Sequence, residues 1–482
     1  MNHKMVRYSV GRNLIVSAAL MSPSLIVALI YGEGAQGIWP FLATIASTGG
    51  VGVCLSRKKP FRHEYYAREG FVIVALTWFS MSFFGGLPFL LSGFIESPVD
   101  AFFETASGFT TTGASILDDV EALPHSLLWW RSFTHLIGGM GILIFTMAVM
   151  PKIESDDIFI MRAEAPGPIF GKVRSKLGST ARILYVIYLT MTSVLVVLLF
   201  LGGMPLFDSF IHAFGAAGTG GFGIMSSSVA YYDSTYVDYV LGVAMILFGV
   251  NFNLYYALLF HKARAAFRSE ELRWYLAIIL AAVVAIAIDV RGLYDSFPRL
   301  VRDVFFTVSS IITTTGYSTA NFDLWPVFSK VLLLLLMFVG AMAGSTAGGL
   351  KVSRIAIYLK SAFLEIRRNV SPNRRVPLTF EGKPLSDSLV RQSSFYLTAY
   401  IAVFVLLMLI TSLSAPSFLT AFSAVAATFN NIGPGLEVVG PLGNYASMSP
   451  ATKLALSVGM IMGRLEVIPV LVLLSPRTWR RG

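Results

Sequence analysis

Thr110-Thr111-Thr112-Gly113, Gly218-Thr219-Gly220-Gly221, Thr313-Thr314-Thr315-Gly316 and Asn430-Asn431-Ile432-Gly433 are four versions of one stretch, roughly a hundred residues apart. Counted back from each final glycine, the match extends upstream. Eleven residues before it stands Phe102, Phe210, Phe305 or Phe422, and thirteen before it Asp100, Asp208, Asp303 or Thr420. Six before it the side chain is small: Ser107, Gly215, Ser310 or Ala427. A unit repeated four times is the first thing to recognise, because it dictates the architecture.

Asp and Thr at the upstream position predict helix N-caps. A helix starting there has room for about two to three turns before the glycine stretch, over 101–109, 209–217, 304–312 and 421–429. That is too short to span a membrane and predicts a half-helix that dips in and returns. Its C-terminal end carries partial negative charge. Four such ends around one axis, with glycine-permitted backbone carbonyls beside them, make a cation site that needs no carboxylate. Small-residue contact between membrane helices accounts for one such stretch but not for four sharing the upstream Phe and capping residue.

Of the 482 residues 55% are hydrophobic and 13% charged, with a mean hydropathy of +0.69. Soluble domains carry about 25% charge, so the composition predicts an all-α polytopic membrane protein. The net charge of +10, from 37 basic and 27 acidic residues, fits basic cytoplasmic loops better than nucleic-acid binding. The single Cys54 provides neither a disulfide framework nor a thiolate cluster. The first apolar run lacks a signal-peptide cleavage site.

The predicted layout is an N-terminal two-helix hairpin over residues 1–56 and pore repeats at 57–150, 151–262, 263–366 and 367–482. Each repeat has a leading helix, a half-helix and a trailing helix. The leading helices are expected near 70–95, 183–202, 271–289 and 392–413, and the trailing ones near 126–150, 235–260, 327–365 and 451–474. Between leading and trailing helix of repeat 1 lie Glu96, Asp100, Glu104, Asp118, Asp119 and Glu121 with no Lys or Arg, which marks the outer side. Arg57-Lys58-Lys59, Lys152 to Arg182, His261-Lys262-Ala263-Arg264 and the tail Arg477 to Arg481 mark the inner side. Repeat 3 is less clean outside, with Arg291, Arg299 and Arg302 among Asp289, Asp295 and Asp303. This gives ten spans with both termini inside.

Two features break the repeat. The third trailing segment, 327–365, would be ~55 Å long as one helix, far more than a ~30 Å hydrocarbon core needs. Its middle, Gly340 to Gly349, is poor helix and holds Gly344, Ser345, Thr346, Gly348 and Gly349. The alternatives are a helix contact of the GxxxG kind and an irregular loop lining the pore; the polar pair and the double glycine favour the loop. The second feature is Arg464, deep in the last trailing helix. An arginine there marks a functional site, or an ion pair, with Glu466 as one partner, or a snorkelling side chain.

Other candidates carry less. His63, His125, His135, His212 and His261 show no paired metal spacing. Asn251 and Asn253 fit pore lining or interhelical hydrogen bonding. Gly138-Gly139-Met140-Gly141 lies in a membrane span and is no dinucleotide fingerprint. No catalytic constellation is present, so no enzyme is expected.

The four units, with Gly138-Gly139-Met140-Gly141-Ile142, Ala343 to Lys351 and Gly463-Arg464-Leu465-Glu466, resemble the Trk/Ktr/HKT superfamily of potassium transporters, and within it the bacterial Trk membrane subunits, TrkH. The resemblance covers essentially the whole chain. It implies a potassium filter made by Thr111, Thr112 and Gly113, Thr219, Gly220 and Gly221, Thr314, Thr315 and Gly316, and Asn431, Ile432 and Gly433. The second stretch is a loose version of the pattern. The resemblance also implies a gate made by the 340–349 loop, with Gly344, Ser345, Thr346, Gly348 and Gly349, and by Arg464. It implies a bacterial inner-membrane location and a homodimer with one pore per subunit. A cytosolic nucleotide-binding ring of the TrkA type would dock on basic loops such as 351–391. Transported K+ is the only cofactor-like species implied. The alternative is a secondary cation transporter with alternating access, coupled to protons or sodium; such folds use inverted repeats, whereas these four share one orientation.

Overall fold

The structure, a computed structural model, describes residues 1–58, 67–141, 177–259, 266–371 and 377–479. The basic stretches at Lys59 and Arg62, 151–176, 261–264 and 480–481 lie outside the described residues, as does 142–150 of the first trailing segment.

Among the described residues, six helices are long and apolar enough to cross a membrane. They are the hairpin, His3–Ile30 and Gly34–Ser56, and the four leading helices, Ala67–Leu91, Leu177–Leu201, Glu270–Asp289 and Asp387–Thr411. The hairpin closes on glycine. A Cβ on Gly11 would lie 2.7 Å from the Gly52 carbonyl oxygen, and one on Gly52 2.8 Å from that of Gly11. In lipid, where apolar side chains gain little from leaving solvent, such close backbone approach is a main source of helix association. Asn13 Nδ2 then donates to Thr77 Oγ1 at 3.1 Å, fastening the hairpin to the first leading helix. Glu33 accepts from the Ser126 N–H at 2.9 Å and so neutralises an open N–H at the start of the first trailing helix.

The four half-helices are Pro98–Phe109, Leu206–Gly218, Phe297–Ile312 and Phe418–Phe429. They start earlier than the aspartates predict. Ser97 and Ser417 cap the first and fourth, accepting from the N–H of Asp100 and Thr420, while Pro205 and Ser296 precede the second and third. The upstream Asp or Thr therefore lies inside the helix and bonds elsewhere. Asp100 pairs with Lys453 at 2.8 Å, Asp208 accepts from the Tyr232 hydroxyl at 2.7 Å, and Thr420 donates to Glu437 at 2.7 Å. Asp303 joins Asp233 and Asp238 around Arg302, each at 3.4 Å, which accounts for the arginine on the outer side of repeat 3.

The phenylalanine register reports packing between repeats. Phe210 rests on Trp129, Phe305 on Tyr239 and Phe422 on Phe338, with ring centroids 5.6, 5.9 and 6.1 Å apart. In each case the half-helix of one repeat leans on the trailing helix of the repeat before. The cycle closes where the first half-helix packs on the last trailing helix, secured by the Lys453–Asp100 pair.

The trailing helices depart from expectation. Only the third was expected to break, yet the second and fourth break too, and the first ends at Gly141, the last described residue of its segment. His125–Met140 ends at Gly141 (φ 80°), and Thr235–Phe248 is bent by 89° from Phe252–Leu259. Val327–Val339 ends at Gly340 (φ 68°), and Pro450–Arg464 gives way at Glu466 and Val467 (φ 57° and 65°) to Ile468–Leu474. After Gly340 the chain runs as a loop to Lys351 and becomes helical again over Val352–Val370. The long-helix and GxxxG alternatives for 340–349 are thereby excluded.

Candidate ion-conduction site

The four stretches fold identically. Each half-helix ends in a Schellman motif. The N–H of Thr112, Gly220, Thr315 and Ile432 donates to the carbonyl of Ser107, Gly215, Ser310 and Ala427, at 2.8, 2.8, 2.9 and 2.9 Å. The small residue six before each glycine is thus the acceptor of the closing bond. At Gly215 the need for smallness is visible, since a Cβ would lie 2.1 Å from the Tyr317 hydroxyl.

Within each motif the left-handed residue is not glycine. It is Thr111, Thr219, Thr314 or Asn431, with φ 55°, 57°, 57° and 60°. β-Branched residues are outliers in this region. Three threonines held there at one position are stored strain of about 1–3 kcal/mol each, a mark of functional sites. Two residues on, Gly113, Gly221, Gly316 and Gly433 have φ 79°, 79°, 85° and 96°.

These glycines interlock around an axis. A Cβ on Gly113 would stand 2.0 Å from the Gly220 carbonyl oxygen. One on Gly221 would stand 2.0 Å from that of Thr315, and one on Gly316 2.0 Å from that of Ile432. One on Gly433 would stand 2.7 Å from that of Thr112, which closes the ring. The sequence 1→2→3→4→1 brings twelve predicted filter residues together at one place. All four glycines line one pocket with residues that follow them, including Ser115, Phe222, Ser318 and Tyr445. Backbone oxygens and four helix C-termini give this site its partial negative charge.

Side chains brace the ring from outside. Thr110 and Thr112 hydroxyls lie 2.7 Å apart, and those of Thr313 and Thr315 2.8 Å. Asn431 donates to Thr112 Oγ1 and to the Met460 carbonyl, both at 2.9 Å, linking repeats 4 and 1. Above the ring, buried Arg131 donates to Glu104 at 2.6 Å and to the Gly223 carbonyl at 3.0 Å, with its guanidinium 3.5 Å over the Phe222 ring.

The 340–351 loop lies against the other side of the ring. Gly348 N–H donates to Thr314 Oγ1 at 2.8 Å, and a Cβ on Gly348 would lie 2.3 Å from the Asn430 carbonyl oxygen. The interrupted second trailing helix receives the loop: Met342 N–H donates to the Gly249 carbonyl at 3.1 Å, and Phe252 N–H to that of Gly344 at 3.0 Å. Asn251 faces Gly344, whose Cβ would meet Asn251 Oδ1 at 2.9 Å. Irregular backbone at this depth is sustained by such bonds. Glu271 accepts from the N–H groups of Ala343 and Ser353 at 2.8 and 3.1 Å, clamping both ends of the loop. Buried Lys351 donates to the Ala347 and Gly348 carbonyls.

Arg464 completes the arrangement. Its guanidinium donates to the Thr346 carbonyl in the loop and to the Gly138 and Gly139 carbonyls, both at 2.6 Å. Glu466 turns instead to Arg354, bonding it twice, once at 3.0 Å, while Arg354 stacks 4.1 Å from Tyr396. Gly138 and Gly463 serve matching ends, since a Cβ on either would lie within 1.9 Å of the last carbonyl of a half-helix, Phe109 or Phe429.

Residues 41–481 match the family model for TrkH, described as a cation transport protein. The chain belongs to the TrkH family. It is 36% identical over 475 residues, 97% of each chain, to the Trk system potassium uptake protein TrkH of Salmonella typhimurium. To that of Escherichia coli it is 35% identical, with the same coverage. Its structure superposes on the crystal structure of the potassium transporter TrkH from Vibrio parahaemolyticus with a TM-score of 0.89, at 32% identity and covering 100% of both chains. TrkH proteins are cation transporters and not enzymes.

Sequence reasoning located the ring, the loop and Arg464. It gave no site role to Glu271, Lys351, Arg131 or Glu104, and none to His135, whose ring bonds Gly108 and Phe222. Glu104 and Arg131 carried a usable signal, a charge within an apolar stretch.

Proposed function

We propose that the chain carries potassium into the cell across the bacterial inner membrane, through the ring formed by the four stretches. The interlocked glycine ring carries this reading. Carbonyls of residues 111–113, 219–221, 314–316 and 431–433 replace the water shell of the ion, and the four half-helix C-termini favour its charge. The relatives named as potassium uptake proteins support the choice of ion. Inward movement is driven by the membrane potential, about 2.3 kcal/mol per charge per 100 mV. The acidic outer segments and basic inner ones support cytoplasmic termini.

The 340–349 loop is the gate and Arg464 its latch. The loop sits under the ring, and Arg464 ties it to the first trailing helix. We assign the assembly as a homodimer with a TrkA-type nucleotide-binding partner, on the family resemblance. Exposed Arg367 and Arg368, in the last turn of Val352–Val370, belong to its docking surface.

Growth of an uptake-deficient host on low potassium tests the reading. The chain should restore growth, and Gly113→Asp should abolish it, because the new side chain has neither the φ nor the space. Normal rescue by Gly113→Asp overturns the filter assignment. Radiotracer competition in liposomes, with and without a proton gradient, separates uniport from symport.

A further inference from the structure

The second repeat lacks side chains where the others have them. Gly218 stands where repeats 1, 3 and 4 have Thr110, Thr313 and Asn430. Gly220 stands where they have Thr112, Thr315 and Ile432. Two glycines flanking a left-handed threonine give the most compliant backbone available. Yet Thr219 and Gly221 keep the φ values of their counterparts, and the closing bond to Gly215 is as short as in repeat 1. Something outside the repeat holds it.

Of the groups that reach it from outside, His135, on the trailing helix of repeat 1, is the one whose ring lies on Gly220. Its ring lies on the bare backbone. A Cβ on Gly220 would meet Nδ1, Cγ and Cε1 of His135 at 2.3, 2.4 and 2.5 Å, and one on Gly218 would meet the His135 carbonyl oxygen at 2.2 Å. The ring bonds in two directions. Nε2 lies 3.2 Å from the Phe222 nitrogen, whose N–H donates to it. Nε2 is therefore the acceptor, the proton is on Nδ1, and Nδ1 donates to the Gly108 carbonyl at 2.8 Å. One neutral, fully buried ring spans the end of the first half-helix and the residue following the second filter glycine.

We propose that His135 is a specificity-determining positioning residue: it replaces, from a neighbouring repeat, the side chains that repeat 2 lacks, and fixes the Gly220 carbonyl in the ring. This rests on the filter reading above. Discrimination among alkali cations depends on the number and placement of coordinating carbonyls. The Gly220 carbonyl is the one that faces Gly113, so a loose Gly220 disturbs the seam between repeats 1 and 2.

The test uses full-length protein in liposomes, with rubidium and sodium tracer fluxes. His135→Leu fills space without either bond and should raise the sodium-to-rubidium flux ratio about tenfold. His135→Gln keeps a donor and an acceptor on one neutral group and should leave the ratio near wild type. Gly220→Ala should lose selectivity because its methyl meets the ring. A wild-type ratio in His135→Leu overturns the proposal. So does a wild-type ratio in Gly220→Ala, whose Cβ would displace the His135 ring, and this decides the matter if His135→Leu does not fold. Gly113→Asp in the same assay separates the two ideas: selective flux through it refutes the filter reading itself, whatever His135 does.

Discussion

Replacing Arg464 by glutamine removes the charge that joins the loop to the first trailing helix. Among the described residues Arg464 donates to three carbonyls, of which one, Thr346, belongs to the loop, while Gly138 and Gly139 belong to the first trailing helix. Of these three bonds, the one to Thr346 is the one that reaches the loop. A buried hydrogen bond from a charged donor contributes about 1.5–3 kcal/mol. If that bond exists only in the closed arrangement, its loss shifts the balance toward the open one by about tenfold to about a hundredfold. The remaining loop anchors, at Thr314, Gly249, Phe252 and Glu271, are untouched, so the protein should stay folded. The assay is rubidium uptake into liposomes at a fixed potassium diffusion potential. Arg464→Gln should raise the initial rate toward the fully open limit. Arg464→Lys keeps the charge but loses the guanidinium fork, and should fall between wild type and Gln. An unchanged or lower rate from monodisperse Arg464→Gln protein refutes the latch.

Three further outcomes follow from the geometry. Among the ring glycines, Gly433→Ala should retain the most uptake, because its Cβ would stand 2.7 Å from the next carbonyl against 2.0 Å for the other three; growth on graded potassium ranks them, and equal loss in all four contradicts it. Glu271→Ala strands the Ala343 and Ser353 N–H groups, at about 1–3 kcal/mol each; rubidium flux should rise with an unaltered sodium-to-rubidium ratio, and a changed ratio would place Glu271 in the filter's support instead. Glu104→Gln breaks a pair in which both side chains are less than 5% exposed, at about 3–5 kcal/mol; the thermal midpoint in detergent should drop, and an unmoved midpoint argues against the pair as a brace.

The ring was readable in the sequence because its constraints are local. A positive φ at Gly113 and a closing bond at Ser107 act within one turn and recur in every repeat. The capping prediction failed at the same range. Asp100 is a good cap in isolation, but Ser97 stands three residues earlier and takes the place. The breaks in the trailing helices are tertiary. Gly249 sits in an apolar run where one glycine costs a helix only about 1 kcal/mol. What bends the chain there is the loop, whose Met342 and Gly344 take over the abandoned backbone groups. Glu271 was concealed by position, since an acidic residue in the first turn of a helix is ordinary. His135 gave no spacing signal, because its partners Gly108 and Phe222 are 27 and 87 residues away.

The glycine ring joins four unequal segments of a single chain. In a pore made of four identical subunits, any substitution is made four times at once. Here each quarter can be edited alone: the seam between repeats 4 and 1 is wider at Gly433 and carries the Asn431 amide, while the seam between repeats 1 and 2 is joined by a histidine. A closed circle has no slack end, so a shift in one quarter is passed to its neighbour. Four unequal repeats in one polypeptide therefore allow the ring to be adjusted in steps of a single seam.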